Sequence, residues 1–148
     1  MNHHHRLVVW QRRVLYGGGV TLILTGVLWL VLHYSVGAGA GELPHPAEAW
    51  LMRLHGAALL LWLFSQGTLA AAHVPQGWRI AGRRRWAGQR NSGVMLCVLS
   101  GLLAVTGYLL YYFAPESVRP TLGWVHSALG LAMAALLLSH RRHTRSGS

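Results

Sequence analysis

Residues 122–140 read Leu-Gly-Trp-Val-His-Ser-Ala-Leu-Gly-Leu-Ala-Met-Ala-Ala-Leu-Leu-Leu-Ser-His and contain no acidic residue, lysine or arginine. As a helix, these residues span about 29 Å, close to the hydrocarbon thickness of a bilayer. Residues 14–34, 47–73 and 92–113 form three further apolar runs that are at least as long. We therefore predict an all-α protein, a single domain over residues 1–148, whose four helices cross a membrane.

The composition indicates that lipid covers much of the surface. Of the 148 residues, 53% are hydrophobic and 11% are charged, whereas an ordinary soluble domain has roughly 25% charged residues. The single cysteine, Cys97, excludes an internal disulfide, and no Cys-x-x-Cys-His motif exists for covalent attachment of a c-type haem. We expect Cys97 to be a small buried side chain and Trp62 to lie in the core.

The basic residues predict the orientation of the helices, because cytoplasmic segments of membrane proteins are enriched in arginine and lysine. The net charge is +10, but the arginines border the apolar runs and do not form a nucleic-acid-binding face. Eleven of the thirteen lie in three flanking segments: Arg6, Arg12, Arg13, Arg79, Arg83, Arg84, Arg85, Arg90, Arg141, Arg142 and Arg145. Both termini and the second loop are therefore predicted to be cytoplasmic, in an up-and-down four-helix bundle of the bacterial inner membrane.

The loops at residues 35–46 and 114–121 have the opposite composition. They contain Glu42 and Glu116 and one basic residue, Arg119. We predict that these loops are periplasmic. Arg53 and Arg119 are the two arginines that depart from the pattern, and both are expected near the periplasmic edge of the membrane.

A short internal repeat links the two halves of the chain. Residues 22–28 and 103–109 share the pattern Leu-x-x-Thr-Gly-x-Leu, in the first and third apolar runs. Each copy is followed by a run with a histidine near its start, His55 and His126. The repeat therefore predicts that the two halves are equivalent.

Four histidines are placed to act as iron ligands. His126 and His140 are fourteen residues apart, within about 40° of four full helical turns, so they share a face about 21 Å apart. His55 and His73 are eighteen residues apart, which is five turns. With the second and fourth helices both running inward, His55 lies level with His126 and His73 with His140. Two such facing pairs are what two bis-histidine b-type haems require.

Glycines accompany this arrangement, and a flat macrocycle needs close approach of the backbone. Two lie beside the proposed ligands and three on the neighbouring helices: Gly56 and Gly130, and Gly26, Gly101 and Gly107. The alternatives are that membrane histidines form hydrogen bonds between helices, and that glycines serve helix packing.

The carboxy-terminal half carries a family resemblance over about 60 residues. Its motifs are Ala87-Gly88-Gln89-Arg90, Thr106-Gly107, and His126-x-x-x-Gly130 followed by His140. In these motifs the chain resembles the four-helix cytochrome b subunits of membrane formate dehydrogenases and nickel–iron hydrogenases, and related small bacterial di-haem cytochromes b. The resemblance implies a four-helix bundle that holds two b-type haems.

The resemblance also implies which residues bind the haems. The family's fourth helix supplies one ligand to each haem, which here gives His126 and His140, and its second helix supplies the periplasmic partner, here His55. The remaining ligand comes from the start of helix one in the family, where this chain has Gln11-Arg12-Arg13. His73 is the expected substitute, and His5 in the amino-terminal arm is the alternative.

A quinone site and sites for the haem propionates are implied as well. In the family, quinone binds near the cytoplasmic haem, which makes Gln89, Asn91 and His140 the candidates here. Trp86 stands where the family has asparagine. Arginines near the ligands in sequence are expected to face the propionates: Arg53, Arg79, Arg83, Arg90 and Arg141.

Taken with the residues, the resemblance implies an electron-transfer subunit of an oxidoreductase complex. It would relay electrons across the membrane between the quinone pool and a redox partner: a dehydrogenase, a hydrogenase or a periplasmic cytochrome. A haem-free structural or assembly subunit is the first alternative. A small transporter is the second, although the chain has no aspartate and its three glutamates lie in or beside the predicted periplasmic loops.

Overall fold

The computed structural model describes residues 9–80 and 87–146, with the side chains of residues 9–71, Pro75 and residues 91–140. This part of the chain is helical and contains no strand, which confirms the predicted all-α class. The elements are α1 (Val9–Val36), a 3-10 turn (Ala38–Ala40), α2 (Pro46–Ile80), α3 (Ala87–Tyr112) and α4 (Arg119–Ser146).

The four helices coincide with the four predicted apolar runs and extend beyond most of their ends. All four are long and apolar enough to cross a membrane. No more than 17% of the apolar window in any of them is buried within the protein. Their exposed leucine, valine and aromatic side chains therefore require another apolar environment, and lipid meets that requirement.

The chain divides into two compact units, Met1–Pro75 and Gln76–Ser148. In the first, α1 and α2 form a pair: a Cβ on Gly18 would lie 3.5 Å from Trp62 Cβ and 3.7 Å from the carbonyl oxygen of Ala58. The glycine thus allows the two backbones to approach closely. Trp62 is buried as predicted, and Ser65 on the next turn is the most buried side chain among the described residues.

In the second unit, α3 and α4 form the corresponding pair. Ser92 near the start of α3 contacts His140, and Thr106 further along α3 contacts His126. The order of these contacts shows that α3 and α4 are antiparallel. Cys97 on α3 is exposed, so the prediction that it is buried was wrong. Its surroundings are apolar, which explains why its sequence context suggested a core position.

The loop between α1 and α2 is fastened by Glu48. The His45 N–H donates to Glu48 Oε1 at 3.0 Å, and the Ala47 N–H donates to His45 Nδ1 at 3.2 Å. These bonds cap the start of α2 as a capping box does, with Pro46 in the first helical position. The other carboxylate oxygen accepts a bond from His33 Nδ1 at 2.9 Å. One glutamate therefore joins the last turn of α1 to the first turn of α2.

Two glycines make room for this fastening. A Cβ on Gly37 would collide with the Glu48 carboxylate, and one on Gly39 would lie 2.7 Å from Tyr34 Cδ1 and 2.8 Å from His33 Cδ2. Gly37 is itself buried. Neither position can take a larger residue unless the loop moves.

Gly37→Ala is therefore expected to destabilise the first helical pair. Displacing the carboxylate leaves His33 or the start of α2 without its partner, at a cost on the order of 1–3 kcal/mol. The midpoint of thermal unfolding in detergent should fall. Gly17→Ala is the matched control, because a Cβ there meets open space and alanine favours a helix. An equal fall in both variants would contradict the role of Gly37.

The two arginines that departed from the charge pattern have local partners. The Arg53 guanidinium lies over the Trp50 ring, 4.7 Å from its centroid. Arg119 Nη2 donates to the carbonyl oxygen of Ala114 at 3.0 Å, close to the end of α3. Each arginine is thus held by an aromatic face or a backbone carbonyl near a helix end.

Candidate functional site

Three of the four predicted ligands have described side chains. His55 lies on α2, and His126 and His140 lie on α4, each with a half-buried imidazole. His73 also belongs to α2, but its side chain lies outside the described residues, as does His5 in the arm. The prediction for the fourth ligand therefore stays a prediction.

In the first helical pair, Thr25 and Gly26 of α1 hold the imidazole of His55. Thr25 Oγ1 lies 2.9 Å from His55 Nδ1, and the threonine is only 5% exposed. A Cβ on Gly26 would lie 3.6 Å from His55 Cε1 and 3.9 Å from Nδ1. The threonine oxygen thus contacts one ring nitrogen while the glycine keeps the adjoining ring edge clear.

In the second helical pair, Thr106 and Gly107 of α3 hold His126 in the same way. Thr106 Oγ1 lies 2.8 Å from His126 Nδ1, and the threonine is 9% exposed. A Cβ on Gly107 would lie 3.3 Å from His126 Cε1, tighter than ordinary contact. We call each threonine–glycine dipeptide with its histidine an imidazole seat. Both copies of the sequence repeat therefore form the same imidazole seat, one in each helical pair.

A third imidazole is bound at the other end of the second pair. Ser92 Oγ lies 2.6 Å from His140 Nδ1. Ser92 and Thr106 are fourteen residues apart on α3, as are His126 and His140 on α4. Two antiparallel helices therefore meet in register at both contacts, which places the two imidazoles about 21 Å apart along α4.

The first pair lacks a histidine at the matching position. Fourteen residues before Thr25 stands Gln11, and fourteen after His55 stands Leu69. His73 is four residues beyond Leu69, one helical turn further along the same face. The two halves are thus equivalent at the seats and differ at the opposite ends of their helices.

The other predicted site residues are more dispersed. Gly130 lies against Leu103, whose Cδ2 would be 4.0 Å from an added Cβ, and Gly56 faces open space. Asn91 is exposed in the second turn of α3, and the Gln89 side chain lies outside the described residues. Arg53 stacks on Trp50. Gly26 and Gly107 are therefore the glycines in direct contact with the predicted ligands.

The hydroxyl partners of the histidines were not predicted from the sequence. Thr25 and Thr106 stood out there only as part of a repeat, and Ser92 did not stand out. The bond between His33 and Glu48 was not predicted either. The common fourteen-residue spacing of Ser92 to Thr106 and of His126 to His140 was the signal that could have revealed the pairing across antiparallel helices.

The arrangement suits a ligand that needs one imidazole at a time. No three histidine, cysteine, aspartate or glutamate side chains converge among the described residues, whereas a structural zinc ion usually takes four protein ligands. A haem supplies four nitrogens itself and takes one or two axial ligands from the protein. The isolated imidazoles, each oriented by a hydroxyl and two of them bordered by glycine, fit this group.

Compared with known proteins, the chain matches no family model, no curated protein and no solved structure. A functional assignment therefore depends on the chemistry of its own residues. The duplicated imidazole seat is the most informative of these features, because one geometry occurs on two separate helical pairs.

Proposed function

We propose that the chain is a di-haem b-type cytochrome that relays electrons across a membrane between the quinone pool and a redox partner subunit. The observation that carries this proposal is the imidazole seat, present once in each helical pair at His55 and at His126. A purely structural role would be satisfied by close packing and a hydrogen bond between the helices. It does not require the same tight Thr-Gly approach to a histidine ring in both halves.

In this proposal His55 and His126 bind one haem near the periplasmic surface. His140 and His73 bind the second near the cytoplasmic surface. The separation of about 21 Å between His126 and His140 supports two distinct sites, since one iron cannot reach both. The four helices would form an up-and-down bundle with both termini cytoplasmic, which the distribution of arginines supports.

The haems would supply the one-electron chemistry, and the protein binds and orients them. The imidazoles of His55 on α2 and His126 on α4, held by Thr25 and Thr106, would present ring nitrogens to the haem. The glycines beside them would leave room for it, and the apolar helices would exclude water. Arg53 would offer a cation to a propionate. Gln89, Asn91 and His140 are the proposed contacts for quinone. A bacterial inner membrane would supply the lipid and the partner, a dehydrogenase, a hydrogenase or a periplasmic cytochrome.

The interhelical hydrogen bonds alone favour a second candidate, a haem-free structural or assembly subunit. Thr25 with His55, and Thr106 with His126, could simply fasten each helical pair. Haem content separates the two functions, because a fastening role needs no cofactor.

The purified full-length chain is expected to contain about two haems b per polypeptide in a pyridine haemochrome assay. Its reduced spectrum should show the sharp bands of low-spin bis-histidine iron. A content of one haem per chain would contradict the assignment of His73 as the fourth ligand. A chain without haem would instead support the role of a structural or assembly subunit.

A further inference from the structure

We infer that Thr25 and Thr106 are positioning residues that hold His55 and His126 in one tautomer, with the proton on Nδ1 and the lone pair on Nε2. Each threonine hydroxyl has a single proton to donate, and its destination determines the tautomer. A neutral imidazole carries one ring proton, and the hydrogen bond at one nitrogen determines which nitrogen remains free of it.

At Thr106 the hydroxyl oxygen has three polar neighbours and one proton. The carbonyl oxygens of Leu102 and Leu103 lie 2.7 and 3.3 Å away, and His126 Nδ1 lies 2.8 Å away. Carbonyl oxygens only accept, so the hydroxyl proton goes to Leu102. If it went to Nδ1 instead, two oxygens would face each other at 2.7 Å with no proton between them. The hydroxyl therefore accepts, and Nδ1–H donates.

Thr25 has the same neighbours at almost the same distances. The carbonyl oxygens of Thr21 and Leu22 lie 2.7 and 3.2 Å from Oγ1, and His55 Nδ1 lies 2.9 Å away. The same count places a proton on His55 Nδ1. Two independent seats thus select the same tautomer.

Other hydroxyls in these apolar helices show that donation to the backbone is the prevailing arrangement. Thr21, Ser100 and Ser127 each donate to the carbonyl of the residue four positions earlier, at 2.7–2.9 Å. Such bonds satisfy a hydroxyl inside an apolar helix. Thr25 and Thr106 make this bond too, and a lone pair on each hydroxyl oxygen remains to accept the hydrogen bond from the histidine Nδ1–H.

The glycines complete the seat by limiting the position of the ring. The open face of Gly107 lies against His126 Cε1, the carbon between the two nitrogens, and Gly26 lies likewise against His55. With Nδ1 on the threonine and Cε1 over the glycine, Nε2 is directed away from the threonine. The nitrogen on that side of each ring therefore carries no proton.

The consequence for iron rests on the proposed function. A hydrogen bond donated by Nδ1–H raises the basicity of the ligating Nε2 and favours the ferric state. Removing the acceptor should therefore raise the reduction potential. A tenfold change in the ratio of ferrous to ferric iron corresponds to about 59 mV for a one-electron couple.

The tautomer is tested first without haem. In the full-length, ¹⁵N-histidine-labelled chain in detergent micelles, the haem-free form should show a protonated Nδ1 and an unprotonated Nε2 for His55 and His126. Assignment comes from loss of each signal in His55→Gln and His126→Gln. Protonation at Nε2 would overturn the inference. Protonation at Nδ1 in a chain that never binds haem would uphold the inference and overturn the proposed function.

The positioning role is tested in the haem-loaded chain by redox titration. Thr25→Val should raise the potential of one haem by about 59 mV, a tenfold change in its equilibrium, while Thr25→Ser restores the wild-type value. Thr21→Val, one turn earlier on α1, is the matched control and should leave both potentials unchanged. Equal potentials in Thr25→Val and the wild type, or equal shifts in Thr25→Val and Thr21→Val, would overturn the positioning role.

Discussion

His126→Ala and His140→Ala are expected to remove different haems from the protein. Each imidazole has its own hydroxyl partner on α3, Thr106 and Ser92. The two positions are about 21 Å apart along the helix, so they cannot serve one iron. Each variant should lose one of two redox transitions and about half of the haem absorbance, while the remaining transition keeps its potential.

The matched control for this pair is His33→Gln. His33 also lies in an apolar helix, but its Nδ1 is bonded to Glu48, and glutamine retains a donor for that carboxylate. Both haems should remain in this variant. Loss of the same transition in both alanine variants, or loss of haem in His33→Gln, would contradict the ligand assignment.

The fold was predictable because its main signal is local. A run of about 20 uncharged apolar residues is long enough to cross a bilayer and has few other structural solutions. The helix ends were less predictable. α1 begins at Val9 and includes Gln11, Arg12 and Arg13, since these residues are compatible with a helix although they are polar. Hydropathy detects the apolar span and not the hydrogen-bonded helix that continues beyond it.

Of the residues at the candidate site, the histidines were named from the sequence but their hydroxyl partners were not. The angular periodicity of one helix shows that His126 and His140 share a face. Their partners depend on the register between two helices, which the connecting loop determines. Thr25 and His55 are separated by 30 residues but Thr106 and His126 by 20. One contact therefore recurs at two different sequence separations, and no single spacing rule could have identified both.

The bond between His33 and Glu48 was unpredictable for a related reason. It depends on a loop whose course is determined by Gly37 and Gly39, each of which admits side chains where a Cβ would clash. The sequence showed Glu48 only as an acidic residue near a predicted periplasmic loop. In the folded loop, Glu48 joins the last turn of α1 to the first turn of α2.

The fourth ligand is expected to be His73. In the second helical pair a histidine follows His126 by fourteen residues, whereas the equivalent position after His55 is Leu69. His73, one turn further, is the next position on that face. Pro75 lies inside α2, and a proline there removes the hydrogen bond to the Ala71 carbonyl and favours a bend around His73. Such a bend can compensate for the additional helical turn that separates His73 from His55.

His73→Ala is therefore expected to cost the cytoplasmic haem and to spare the periplasmic one. Deleting residues 2–5, which removes His3, His4 and His5, should leave both haems in place. The arm would have to fold back to bring one of its histidines to an iron, since no other histidine precedes His33. Haem content and redox titration of the two variants, compared with His140→Ala, measure the outcome. If deletion of the arm removes the cytoplasmic haem and His73→Ala retains both haems, the fourth ligand is a histidine of the arm and not His73.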